Sequence, residues 1–286
     1  MADELQRYLK QQIDLGGPEF LGSGKVVAPR SHPEVVRGDA EGSLEGGEES
    51  LRSAQDDRQI RSDQHQDDTP ADSTPRWRKD APPIPAPGLQ IVTPPFVAGD
   101  PIGAMTTLDQ VAAAVKLCTR CPLHRTRTND VFGEGNTAAR LMCIGEGPGE
   151  TEDRLGRPFV GRAGELLDKL LAAIDLPRAE VYIANIVKSR PPQNRKPLPD
   201  EVAACIPYLY RQIAIIRPKV ILALGGTAGE SLLGVKQSLT ALRGKVHRFD
   251  GIPLVVTYHP AALLRNPNWK KPTWDDVRIA RQLLDL

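Results

Sequence analysis

The 286-residue chain has no run of 18 or more apolar residues, which leaves nothing to form a membrane-spanning helix. Its first residues lack the apolar core of a secretory signal, so a cytoplasmic protein without membrane association is expected. Cysteine is scarce. There are four, and in a reducing compartment they serve as thiols or ligands rather than as disulfides. No glycine-rich segment has the spacing of a dinucleotide-binding fingerprint, and none runs into the Gly-Lys-Ser/Thr of a phosphate loop. That argues against a nucleotide-binding enzyme. Net charge is also nearly absent, at +1, but the balance hides two opposite halves.

Residues 1–105 hold 11 Lys/Arg against 18 Asp/Glu, while 106–286 hold 26 of the chain's 37 basic and 18 of its 36 acidic residues. The first stretch is therefore an acidic extension. From about 23 to 100 it consists largely of Gly, Ser, Asp, Glu, Gln and Pro, a composition that buries too little apolar surface to offset the entropy of ordering. Disorder is expected there, with one short exception. Leu5, Leu9 and Ile13 recur at helical spacing within residues 2–15, in a helix too short to be stable by itself. The remaining stretch, 106–286, is long enough for one sizeable core, and its positive balance suits a polyanionic partner, nucleic acid first.

Within 106–286, strand and helix signals alternate. Thr107 and Gln110 form a capping box ahead of an apolar helix that ends at Cys118. Leu141–Ile144 is a short apolar strand, and Gly164–Ile174 repeats leucine at helical spacing. Val181–Val187 is a second strand. Pro199 opens a helix with Asp200 and Glu201 in its first turn, and Pro207 should kink or split it before Pro218. Lys219–Leu224 and Pro253–Tyr258 are the third and fourth strands, and a last helix is expected over Trp274–Leu284. The pattern predicts an α/β fold: three layers, α/β/α, around a central, mainly parallel four-stranded sheet. Ligands in such sheets bind beyond the carboxyl ends of the strands. The loop after Ile144, the segment after Asn185 and His259 should therefore converge.

Each of these carries chemistry worth weighing. The loop Gly145–Asp153 begins Gly-Glu-Gly-Pro-Gly, and glycine lets backbone N–H groups approach a flat or anionic ligand. His259 ends a strand and precedes Pro260, a residue suited to a first helical position. The positive end of a helix dipole favours a neutral imidazole, which can donate to an oxygen that becomes anionic; a plain helix cap is the alternative. Asn185 is an amide inside an apolar run, either tying two strands or reading a pyrimidine edge with its donor and acceptor. Phe159, between Gly/Pro turns, is either a stacking platform or a loop plug. Cys118 and Cys121 have metal-ligand spacing, which by itself leaves zinc, an iron–sulfur cluster and a redox pair open. Cys143 lies in a strand and reads as a buried apolar thiol.

In order along the chain stand Cys118–Cys121, GEGPGETED at 145–153, GRPFVGRAGELLD at 156–168, YIANIVKSRPPQNRKPLPDEVAAC at 182–205 and HPAALLRN at 259–266. Together these resemble the type 4 (family 4) uracil-DNA glycosylases over roughly 106–286. The resemblance implies hydrolysis of the N-glycosidic bond of deoxyuridine in single- or double-stranded DNA by a monomer. It places Phe159 against uracil, Asn185 at its edge and His259 at the O2 that gains charge. Glu146 and Gly147 would complete the pocket, and Glu152 would order the attacking water. Leu263, Leu264 or Arg265 would fill the space left by the flipped base, and Lys188, Arg190, Arg195 and Arg265 would meet phosphates. It also implies a four-iron, four-sulfur cluster on four cysteines, of which Cys118, Cys121 and Cys205 match the first, second and fourth in chain order. The third position is Ser189 here. Ligation by a serine alkoxide, a labile three-cysteine cluster and loss of the cluster are the outcomes this substitution allows. A cluster that is present but easily oxidised is the one expected.

Two other classes compete: a non-catalytic binder of uracil-containing or damaged DNA, and an iron–sulfur redox protein, against which Ser189 argues. A weak sliding-clamp contact through residues 9–16 is a further expectation, carried by Gln12–Leu15 without the usual aromatic.

Overall fold

A computed structural model describes residues 73–93, 96 and 99–286. Its elements in chain order are β1 (Pro87–Ile91), α1 (Leu108–Lys116), β2 (Glu134–Gly135), β3 (Leu141–Gly145), α2 (Glu150–Leu155), α3 (Arg162–Ala172), β4 (Tyr182–Asn185) and α4 (Pro199–Ile216). There follow β5 (Val220–Leu224), α5 (Gly226–Leu233), α6 (Leu239–Leu242), β6 (Val246–Phe249), β7 (Ile252–Thr257), α7 (Pro260–Arg265) and α8 (Lys270–Leu283). The expected helix over residues 2–15 and the clamp-like segment 9–16 lie outside the described residues.

The strands form one sheet in the order β1-β6-β7-β5-β3-β4-β2. β7, β5, β3 and β4 run parallel at its centre, and these are the four strands expected from the apolar runs. β3 and β5 are buried along their whole length, as strands covered on both faces must be. Their side chains alternate between two cores. Met142, Ile144, Ile221 and Ala223 meet α1, α4 and α5, while Leu141, Cys143, Val220 and Leu222 meet α3 and α8. Three layers result.

The sheet has seven strands rather than four. β2 is two residues long and antiparallel to β4, and β6 forms a hairpin with β7. β1 comes from the proline-rich stretch that composition assigned to the extension, so the fold's elements reach back beyond residue 105. What orders β1 is a distant partner. His247 Nδ1 accepts the Leu89 N–H at 3.0 Å, and its Nε2 lies 2.8 Å from the Leu242 carbonyl. The Thr107–Gln110 capping box forms as expected. α4 stays one helix across Pro207, and α8 begins at Lys270, ahead of Trp274. Among the described residues no helix is long and apolar enough to cross a membrane.

Candidate active site

The chain passes from β3 to β4 on one side and returns across β3 to β5, so the sheet has a switch point at β3. Beyond its carboxyl end lies a cleft of about 410 Å³. Its walls come from the four central strands: Glu146, Gly147 and Glu152 after β3, Asn185 at the end of β4, Gly225 after β5, and His259 after β7. Phe159, Arg195 and Arg265 also line it, and sequence reasoning missed Asn194 and Gly225.

His259 is the N-cap of α7, and its Nδ1 accepts the Ala261 N–H at 3.1 Å. That bond leaves Nδ1 unprotonated and makes Nε2–H the donor available to the cleft. Burial, with a smaller push from Arg265, lowers its pKa to about 4, and Glu152 opposes this only weakly. The ring is therefore neutral at physiological pH. Its centroid stands 5.4 Å from that of Phe159 in a stacked arrangement, so a base cannot lie between the two rings and must pack beside them.

Asn185 is 1% exposed, and its Oδ1 has no hydrogen-bond partner. A buried orphaned acceptor costs ~1–3 kcal/mol, so a group that the folded chain does not supply is expected to satisfy it. The amide reaches the cleft because Gly145 has no side chain. A Cβ there would stand 2.5 Å from both Asn185 Oδ1 and Phe159 Cζ. The Gly-rich loop thus makes room for neighbouring side chains as well as for a ligand.

Glu152 is less free than expected. Its Oε1 accepts the N–H groups of Val160 at 3.0 Å and Gly161 at 2.9 Å, tying down the loop that carries Phe159. The Glu146 carboxylate, by contrast, makes no hydrogen bond or ion pair with any described residue.

Two expected DNA contacts are corrected. Lys188 is 1% exposed, and its Nζ donates to the Asn185 carbonyl at 2.9 Å and to Gln212 Oε1 at 2.5 Å, so it cannot reach a phosphate. Burial lowers its pKa to about 7. Leu263 is also 1% exposed and packs with Leu166 and Leu170. It faces the core, while Leu264, one residue on and about 100° around the helix, is 42% exposed. Arg190 is tied to Asn194 Oδ1 at 2.8 Å, and Arg195 forms a two-pronged pair with Glu201.

A second, small cavity brings Cys118, Cys121, Cys205 and Ser189 together. Cys205 Sγ accepts the Lys188 N–H at 3.2 Å. Burial raises the Cys205 thiol to about 11 and the Cys121 thiol less far, so a metal would have to displace protons here. Among the described residues no group of three or more His, Cys, Asp or Glu closes on a single metal ion. The donor set is soft sulfur at three corners, which suits an iron–sulfur group. It departs at the fourth, where Arg127 Nη1 donates to Ser189 Oγ at 3.1 Å. Cys143 cannot replace the missing thiol. It is fully buried on the other face of β3, and burial pushes its pKa to about 12.

The family described as the uracil DNA glycosylase superfamily matches residues 132–280. A type-4 uracil-DNA glycosylase of Thermotoga maritima is 52% identical, over 62% of this chain and 94% of that protein. One from Sulfurisphaera tokodaii is 46% identical over 63% of this chain and 86% of its own. A type-5 uracil-DNA glycosylase of Pyrobaculum aerophilum is 30% identical over 51% and 79% respectively.

Proposed function

Because the chain belongs to the uracil DNA glycosylase superfamily, we propose that this cleft excises uracil from DNA by base flipping and stabilisation of the departing uracil anion. The observation that carries the reading is the orphaned Asn185 Oδ1, buried at the end of β4 beside a neutral histidine with a free Nε2–H. Uracil offers N3–H to that acceptor and O4 to the amide's donor. The base packs along Phe159, and His259 Nε2–H donates to O2. In the reaction the C1′–N1 bond breaks with its electron pair going to uracil. A water oxygen bonds to C1′, and the proton that water sheds ends on the base. Preformed donors at O2 do most of the catalytic work, because charge develops there only as the bond breaks.

The free Glu146 carboxylate orders the water, while Glu152 holds the Phe159 loop. Glu146→Gln is expected to lower kcat roughly tenfold with KM unchanged. An unchanged kcat would return the role to Glu152. In this reading the exposed Leu264 fills the vacated stack, and Arg265 meets a phosphate, as does Arg190 once it exchanges its Asn194 partner for one. Flipping is cheapest at a weak mismatch, so G·U should be processed readily. One chain supplies every residue invoked.

The direct test is alkali-induced scission of an oligonucleotide carrying one uracil. Scission at that position, with none where thymine replaces uracil, is expected. Tight binding without scission would instead make the protein a reader of uracil-containing DNA.

We also propose that Cys118, Cys121 and Cys205 hold an iron–sulfur cluster, with the Ser189–Arg127 pair at its fourth corner. Bound there, the cluster would cross-link the segment after α1 to α4, beside the Ser189 segment after β4, a stabilising rather than a chemical contribution. Anaerobically purified protein is expected to contain iron and to absorb in the visible, to bleach in air, and to bleach more slowly as Ser189→Cys. Iron-free anaerobic protein would refute the assignment.

A further inference from the structure

Phe159 has φ +50, a left-handed conformation that a residue with a β-carbon keeps only where its surroundings over-determine it. Those surroundings are specific. Arg178, on the turn before β4, donates from Nη1 to the Phe159 carbonyl at 3.0 Å and from Nη2 to the Pro158 carbonyl at 2.5 Å. The guanidinium is itself fixed by Glu134 of β2, whose Oε1 accepts from Nε at 3.0 Å and Nη2 at 2.6 Å. Asp168 of α3 takes a further bond from Nη1 at 3.0 Å. Across the loop, Glu152 holds the next two N–H groups. Gly164 closes the space, since a Cβ there would overlap the Phe159 carbonyl.

One cation therefore grips the two carbonyls at and before the ring, and one anion grips the two N–H groups after it. A planar guanidinium can present parallel donors to successive carbonyls, which a lysine ammonium cannot. An arginine serving only as surface charge would spend its donors on acids. This one, 21% exposed, spends two on the backbone of a loop that lines the cleft.

We propose that Arg178 is a positioning residue for base recognition, acting through Phe159 to set where the ring meets the flipped base. This deepens the glycosylase reading and rests on it. The ring's position sets how well uracil packs, before and after the bond breaks, so the effect belongs in binding more than in the chemical step.

The test is a double-mutant cycle on a uracil-containing oligonucleotide, with inhibition by free uracil as a second readout. Arg178→Lys is expected to raise KM and the uracil inhibition constant about tenfold while kcat moves less than about threefold. On a Phe159→Ala background the same substitution should change neither constant further, because the ring it positions is gone. Arg157→Ala, in the same loop, removes the exposed second partner of Glu134 but leaves the Arg178 bonds to the two carbonyls, and should move each constant less than about threefold. If Arg178→Lys melts early, Arg178→Gln is put through the same cycle. Equal fold losses on both backgrounds, or an unchanged uracil inhibition constant in active protein, would overturn the assignment. A wild-type protein that releases no uracil defeats the glycosylase reading itself, and this one with it.

Discussion

His259→Ala is expected to lower kcat about 10²–10³-fold, the usual cost of removing one preorganised donor from a developing oxyanion. KM should change far less, because the bond to O2 strengthens only as charge arrives there. The geometry leaves little alternative use for the side chain. Nδ1 is spent on the Ala261 N–H, and Nε2–H is the one polar group the ring offers the cleft. With the pKa held down near 4 by burial, the wild-type rate should be independent of His259 titration from about pH 5.5 upward. Stability follows the same shift with a definite sign. An unfolded histidine takes up a proton near pH 6.5, whereas the folded one does so only near 4. The unfolded state thus binds more protons between these values, and stability should fall as pH drops through that window. His259→Ala should lose that part of the slope. Full activity in the variant, or a rate that tracks a pKa near 6.5, would remove His259 from the mechanism.

Asn185→Ala should cost about 10²-fold in kcat/KM, because two hydrogen bonds to the imide edge vanish and uracil's N3–H and O4 enter the cleft unpaired. The loss should appear with uracil and not with a substrate whose edge the amide never matched, so preference for uracil over cytosine should narrow. The same substitution removes the orphaned acceptor from the free protein. The variant should therefore be at least as stable as the wild type while being a worse enzyme. That opposition separates a recognition amide from one that ties strands together. A variant that melts several degrees lower with unchanged kcat/KM would establish the structural role instead.

Much of this site is legible in the sequence because its parts are local. An apolar run that stops at Gly145, at Asn185 or ahead of His259 announces a strand end, and parallel strand ends point the same way. Side-chain phase beyond a strand end was not legible. Lys188 reads as a phosphate contact in a basic segment, yet it turns under the sheet to Gln212, 24 residues on. Leu263 and Leu264 are indistinguishable as letters, and only packing against α3 decides which faces inward. Glu152 was placed near the chemistry, but its acceptance of two loop N–H groups depends on how α2 meets the Phe159 turn.

The sequence alone determined the alternation of strand and helix, the four central strands, the motifs that carry the family and the substitution at Ser189. These depend on periodicity and on residues within a turn or two of one another. The tertiary structure decided the three extra strands, the burial of Lys188, the Arg127 partner of Ser189 and the grip of Arg178 on the Phe159 loop. Apart from the β6–β7 hairpin, each of those rests on a contact between chain segments that are not neighbours in sequence, and a charged or polar side chain carries no local mark of the partner it will find.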